Sequence, residues 1–232
     1  SLTARGLKKR GVFAKSPGNP MMDGLERRNC PVSMSGCRRV LLLCGSRSPE
    51  ALQNFERLLT CLAELHLDEP IVILVALGSE PSTQSLSNIL LKHGYLSIRS
   101  PFDELNAQSC WIKRSHRLLL GPGQFFGWVG LAEVGLTAAG TATEQLVGLG
   151  IPAISYPGNG PQFQKGFARR QSRLLGGAVI PAFTPIDAAE GLKKLLENND
   201  ISIRLGSKGA KRMGLPGASN RLADLIYSEL FK

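Results

Sequence analysis

Residues 133–158 read EVGLTAAGTATEQLVGLGIPAISYPG, and their reading decides the fold. Residues 134–137 form a short apolar run, Ala138-Ala139-Gly140 a tight turn of small residues, and residues 141–150 carry the apolar spacing of a helix. Gly150 stands where a C-terminal cap belongs, Ile151-Pro152 stops the helix, and residues 153–156 read as the next strand. The unit is strand–turn–helix–strand, and its helix begins on a glycine flanked by Thr141 and Thr143. Unpaired N–H groups and the positive end of the dipole point the same way at such a start, which makes it a candidate anion site. An ordinary βαβ crossover capped by Thr141 accounts for the same residues.

Outward from this unit the pattern repeats. Residues 40–44, 71–77, 115–120 and 178–180 read as further strands; residues 49–65, 83–93, 125–131, 162–175, 187–197 and 219–232 read as helices. Strands that alternate with helices and are apolar throughout predict an α/β fold, a Rossmann-like parallel sheet flanked by helices. Residues 1–12 suggest a short basic helix, and residues 16–25 a linker or domain edge.

The 232 residues suit one large α/β domain or two small ones. The longest apolar run, residues 71–77, is too short to span a bilayer, and no signal peptide is visible. Five cysteines fit no metal-ligand spacing; Cys44 and Cys61 read as buried thiols, which predicts a reducing cytoplasm. Net charge is +10, with nine Lys or Arg against two acids in residues 1–39 and a second basic group at Lys165, Arg169, Arg170 and Arg173. That balance favours anionic partners. No nucleic-acid motif is found and only 6% of residues are aromatic, so nucleic acid is not the expected partner.

Ligands of such sheets sit beyond the carboxyl ends of the strands. The loops there offer Ser46 and Arg47; Gly123, Gln124 and Phe125; Gly140, Thr141 and Thr143; and Asn159, Gln162 and Gln164. Backbone amides, hydroxyls, a guanidinium and side-chain amides suit a phosphate plus a polyhydroxylated group. No nucleophile–base pair and no metal cluster is legible, and His66, His93 and His116 stand apart, so the catalytic residues stay unassigned and neither metal nor cofactor is expected.

These residues carry a resemblance. Leu41-Leu42-Leu43-Cys44-Gly45-Ser46-Arg47 resembles the LLPGSR strand-loop of lipid-A-disaccharide synthases, with Cys44 in place of proline, and Gly140-Thr141-Ala142-Thr143 resembles their GTAT turn. Residues 18–24, 158–163 and 171–176 resemble motifs of the lipid-A-disaccharide synthase-related proteins, in the same order. The chain is thus similar to the C-terminal, donor-binding half of a GT-B glycosyltransferase. The resemblance implies residues 1–38 as linker and remnant of an N-terminal acceptor domain, otherwise missing, and residues 39–232 as a nucleotide-sugar-binding domain. It implies a partner that is a nucleoside-diphosphate sugar, UDP-linked, whose glycosyl group passes to an acceptor such as a lipid. The protein would then be cytoplasmic, with Arg5, Lys8, Lys9, Arg10, Lys15, Arg27 and Arg28 favouring an anionic membrane surface.

By the same resemblance Ser46, Arg47, Gly140, Thr141 and Thr143 face the diphosphate, Gly123, Gln124 and Phe125 receive the base, and Asn159 and Gln162 reach the donor sugar. The family's ribose-binding Glu lies five residues before the glycine matching Gly150; here that position is Gln145, and the acid is Glu144. Successive helix residues point about 100° apart, so either Gln145 bonds the ribose as a neutral partner or a rotated helix presents Glu144. A hydrolysing sugar-nucleotide epimerase shares this domain plan but would call for a pair of acids in the sugar loop; a non-catalytic nucleotide-sugar-binding module is the remaining alternative.

Overall fold

The structure, a computed structural model, describes residues 2–158 and 164–230. In chain order its elements are α1 (Leu2–Lys8), β1 (Arg38–Leu43), α2 (Glu50–Ala63), β2 (Ile71–Leu77), α3 (Thr83–Lys92), β3 (Leu96–Ile98), β4 (Ser109–Lys113), β5 (His116–Pro122), α4 (Phe125–Trp128), β6 (Val134–Thr137), α5 (Thr141–Gly148), β7 (Ala153–Ser155), α6 (Lys165–Leu174), β8 (Val179–Pro181), α7 (Pro185–Glu197), α8 (Asn199–Met213) and α9 (Ala218–Leu230). The strands form one sheet in the order β3-β4-β5-β2-β1-β6-β7-β8.

The six strands from β5 to β8 in that order are parallel. They are apolar on both faces because both faces are covered. Val40 and Leu42 of β1 and Ile71, Ile73 and Val75 of β2 pack with Phe55, Leu58 and Leu62 of α2 and with α3 and α7. The alternate residues Leu41, Leu43, Val72 and Leu74 pack on the other side with Trp128, with Leu146 and Val147 of α5, and with Met22, Leu25 and Met34.

Three features depart from the sequence expectation. The hairpin β3–β4 was not foreseen, and it adds two antiparallel strands to the β5 edge. Its outer strand is short and half in solvent, with Leu96 67% exposed, so it lacks the two-sided apolar run that marks the parallel strands. Helix α8 also departs from the expectation: it closes on α5 and the Gly150 turn at Gly206 and Gly209, and Ile201 and Leu205 are only partly buried, so its apolar stripe is weak. Residues 16–25, expected as a linker or edge, place Met22 and Leu25 in the core. Asp23 also caps α9, accepting from the N–H groups of Gly217, Ala218 and Ser219 at 2.6, 3.0 and 2.8 Å. Hydrogen bonds from the side chain and backbone of Ser219, then from Ala218 and Gly217, hold its carboxyl down at about 2.

The chain order places the site. From β1 the sheet grows outward through β2 to β5, then returns to the other side of β1 with β6. Strand order therefore reverses between β1 and β6, and the crevice beyond their carboxyl ends is where open α/β sheets take ligands.

A candidate anion cleft at the sheet switch point

The loop after β1 and the turn before α5 face each other there. Ala138 N–H donates to the Leu43 carbonyl at 2.8 Å, which carries the β1–β6 ladder to the last residue before the loops part. Gly45 turns with φ +95°, a conformation glycine adopts without strain. Asn54 of α2, buried beneath the loop, donates from Nδ2 to the Cys44 carbonyl at 3.1 Å and fixes the exit of the chain from β1.

Above this frame lies a cleft of about 570 Å³. Ser46, Arg47, Gly140, Thr141, Gln145 and Phe125 all line it, so six of the residues expected from the sequence are brought together. Ser46, Arg47 and Thr141 are exposed at its mouth. The start of α5 has no side-chain cap, and its Gly140 carbonyl accepts from the N–H groups of Thr143 and Glu144, each at 3.1 Å. The N–H groups of Thr141 and Ala142 have no acceptor among the described residues. Two orphan donors at a helix start, beside an arginine, favour a bound anion.

The other expected residues lie elsewhere. Thr143 is fully buried, and its hydroxyl donates to the Ala139 carbonyl at 2.7 Å, so it braces the turn from below. Gly123 and Gln124 do not line the cleft; Gly123 N–H is bonded to the Leu77 carbonyl at 2.9 Å, and Gln124 lines a smaller cavity of about 240 Å³ with Arg28. Leu77 and Gly78, with Phe125, stand on that side of the cleft instead. Asn159 and Gln162 lie outside the described residues.

Gln145 and Glu144 separate as helix geometry requires. Gln145 lines the cleft, and its Nε2 donates to the Met21 carbonyl at 3.0 Å. Glu144 is absent from the lining; burial raises its pKa, opposed by a hydrogen bond with the Gln171 side chain. Gln171, 2% exposed, also donates to the Gly140 carbonyl at 3.1 Å and so ties α6 to the start of α5.

Cys44, Asn54 and Glu50 were not among the candidates. Cys44 borders the cleft but is 1% exposed, and burial pushes its thiol up to about 12, so it is no nucleophile near neutral pH. Asn54 did leave a signal: it is a polar residue inside the apolar stripe Ala51, Phe55, Leu58 and Leu62 of α2. Glu50, in the first turn of α2, carries no such mark. Among the described residues no group of three His, Cys, Asp or Glu could hold a metal ion, and no helix is long and apolar enough to cross a membrane.

No family model and no curated protein matches this chain. Solved structures do. Staphylococcus aureus MnaA in complex with UDP is 14% identical, with TM-score 0.59, covering 98% of this chain and 57% of that one. The UDP-GlcNAc 2-epimerase from Neisseria meningitidis bound to UDP-GlcNAc is 12% identical, with TM-score 0.52, covering 84% and 45%. The glycosyltransferase VinC in complex with dTDP is 13% identical, with TM-score 0.50, covering 97% and 56%. The fold is that of a GT-B-type Rossmann-like domain. The chain spans about half the length of the solved structures it matches.

Proposed function

We propose that the cleft holds the diphosphate of a nucleoside-diphosphate sugar, and that this chain is the donor-binding part of a glycosyltransferase. The carrying observation is the uncapped start of α5, with the N–H groups of Thr141 and Ala142 facing the same cleft as Arg47. Donors fixed in place cost no reorganisation when charge builds on a departing diphosphate, so amides and guanidinium would stabilise the leaving group. Gln145 would reach the ribose, and Phe125 with the Leu77–Gly78 turn would flank the base. The compared structures that carry UDP, UDP-GlcNAc or dTDP support this ligand class.

Transfer needs an acceptor surface across the cleft, and the matched structures are about twice as long as this chain. The finer reading, a lipid-A-disaccharide synthase-like enzyme moving a UDP-linked sugar to a lipid, rests on the motif likeness and the basic N-terminus. Exposed Phe13 and Val12 beside Arg5, Lys8, Lys9 and Arg10 support contact with an anionic membrane. A second reading, a hydrolysing sugar-nucleotide epimerase-like enzyme, is favoured by the likeness to the UDP-GlcNAc 2-epimerase from Neisseria meningitidis. Both readings share the diphosphate site.

Calorimetric titration of UDP into the chain tests that site. Saturable binding is expected, and Arg47→Ala should weaken it by about 1.5–3 kcal/mol, the scale of a hydrogen bond to a charged group. Absence of binding at millimolar UDP, or equal affinity in the variant, would overturn it.

A further inference from the structure

Across the Pro157–Gly158 segment from the cleft lies a second cavity of about 360 Å³, lined by Arg57, Pro157, Gly158, Gln164, Lys165, Gly166 and Phe183. No acid is among these lining residues. Arg57, one turn beyond Asn54 on α2, stacks over Tyr156 with its guanidinium carbon 4.7 Å from the ring centroid. It spends Nη2 on the Pro157 carbonyl at 3.0 Å, and its Nε is buried with no acceptor among the described residues. An arginine carries five N–H donors in a rigid fork, so the rest of that fork is uncommitted.

Two further cations converge from α6. Lys165 Nζ lies 5.6 Å, and the Arg169 guanidinium 5.1 Å, from the centroid of Phe183, a ring that forms part of the cavity wall. Lys165 is also the first residue of α6, a ten-residue helix whose N-cap Gln164 makes no side-chain cap hydrogen bond. Lys165 and Gly166 both line the cavity, and their N–H groups have no acceptor among the described residues. Like charges held together repel one another, and an anion between them relieves that cost while satisfying the helix start.

We infer that this second cavity is a phosphate-binding subsite, distinct from the cleft, in which Arg57, Lys165 and the first amides of α6 hold a phosphate dianion. The inference does not depend on the nucleotide reading, because none of these groups belongs to the Arg47–Gly140 site. Two sources share this chemistry: free inorganic phosphate, or a phosphate carried on a sugar.

The test follows amide chemical shifts of the whole chain while inorganic phosphate is added. The amides of Lys165 and Gly166 and the Arg57 Nε–H should shift and saturate together. Arg57→Gln and Lys165→Gln should each weaken that response about tenfold, the loss expected for one charged hydrogen bond. Arg47→Ala should leave it unchanged. Arg57 also packs on Tyr156, so its variant is read only alongside Lys165→Gln, whose side chain is exposed and whose thermal unfolding should match wild type. Parallel titration with a hexose 6-phosphate separates the sources: tighter binding assigns the phosphate to a sugar, equal binding to the free ion. Amides that do not move at millimolar phosphate, or that respond in both variants as they do in wild type, overturn the inference.

Discussion

Replacing Gly206 by alanine should loosen the helix that carries the anion cleft. Helix α8 crosses α5 so closely that a Cβ on Gly206 would stand 2.0 Å from the Gly150 carbonyl oxygen, where ordinary contact begins at 3.4 Å. The obstacle is backbone, so no side-chain rotation relieves it, and α8 must retreat by about 1 Å. Gly209 compounds the effect, since its own Cβ position is 2.2 Å from Val147 Cγ1 and 2.9 Å from the Val147 carbonyl. Alanine in a helix interior gains about 1 kcal/mol over glycine, while overpacking a core typically costs about 1–3 kcal/mol and occasionally more. A backbone obstacle puts the cost at or above the top of that range, so a net loss of about 2 kcal/mol is expected. For a domain of this size that lowers Tm by about 4–8 °C. Thermal and urea unfolding of Gly206→Ala beside Gly166→Ala measures it, because Gly166 is helical with nothing within 4 Å of its Cβ position and should show no loss. UDP affinity should fall as well, since α8 braces the helix at whose start the anion site is proposed. A Gly206→Ala protein as stable as wild type would refute the close α5–α8 crossing.

Three further outcomes follow from named groups. His116 is 6% exposed, and burial, then repulsion from Arg114 and His66, lowers its pKa to about 4. Unfolded histidine protonates below about 6.5, so the unfolded chain binds more protons between there and 4; stability should fall as pH drops through that window, by on the order of 3 kcal/mol. A urea midpoint independent of pH between 7 and 4, together with a His116 NMR titration near 6.5, would contradict this. Gln145→Ala should weaken UDP binding about tenfold while Glu144→Gln changes it little; calorimetry giving the reverse order would assign the ribose to Glu144. In liposome sedimentation, association should require anionic lipid and fade with salt, each basic residue near the surface contributing about 1 kcal/mol; equal partitioning onto neutral vesicles would remove the membrane reading.

Much of the architecture was legible because the parallel strands are buried on both faces and so read as apolar runs. Residues 40–44 and 71–77 show this, and their helical partners announce themselves by stripes such as Leu58 and Leu62. What the sequence hid is contact made without a regular apolar run or stripe. Helix α8 makes its closest approach at Gly206 and Gly209, with Ile201, Leu205 and Met213 as its few apolar contacts, so its sequence looks polar and broken. The outer strand of the β3–β4 hairpin is half exposed and gives no run. Met22 and Leu25 lie in a Pro- and Gly-rich stretch whose punctuation suggested a linker, while their burial depends on α5 and α9 arriving much later in the chain.

The candidate site divides along the same line. Ser46, Arg47, Gly140 and Thr141 meet because turn chemistry at strand ends is local and visible. Thr143 reads as another hydroxyl for the ligand, yet one position on the helix turns it down onto the Ala139 carbonyl. The same rotation sends Gln145 into the cleft and Glu144 toward Gln171. Asn54 stands out in the sequence as a polar residue in the apolar stripe of α2, but its partner, the Cys44 carbonyl, is visible only in the fold.

The central claim is that the start of α5 and the loop after β1 bind a nucleoside diphosphate. Amide chemical shifts recorded while UDP is added test it most directly, since they report both binding and place. The account predicts saturable shifts concentrated at Gly45, Ser46, Arg47, Gly140, Thr141 and Ala142, and lost together in Arg47→Ala. A spectrum that does not change, or one whose changes fall away from the β1–β6 switch point, would contradict it.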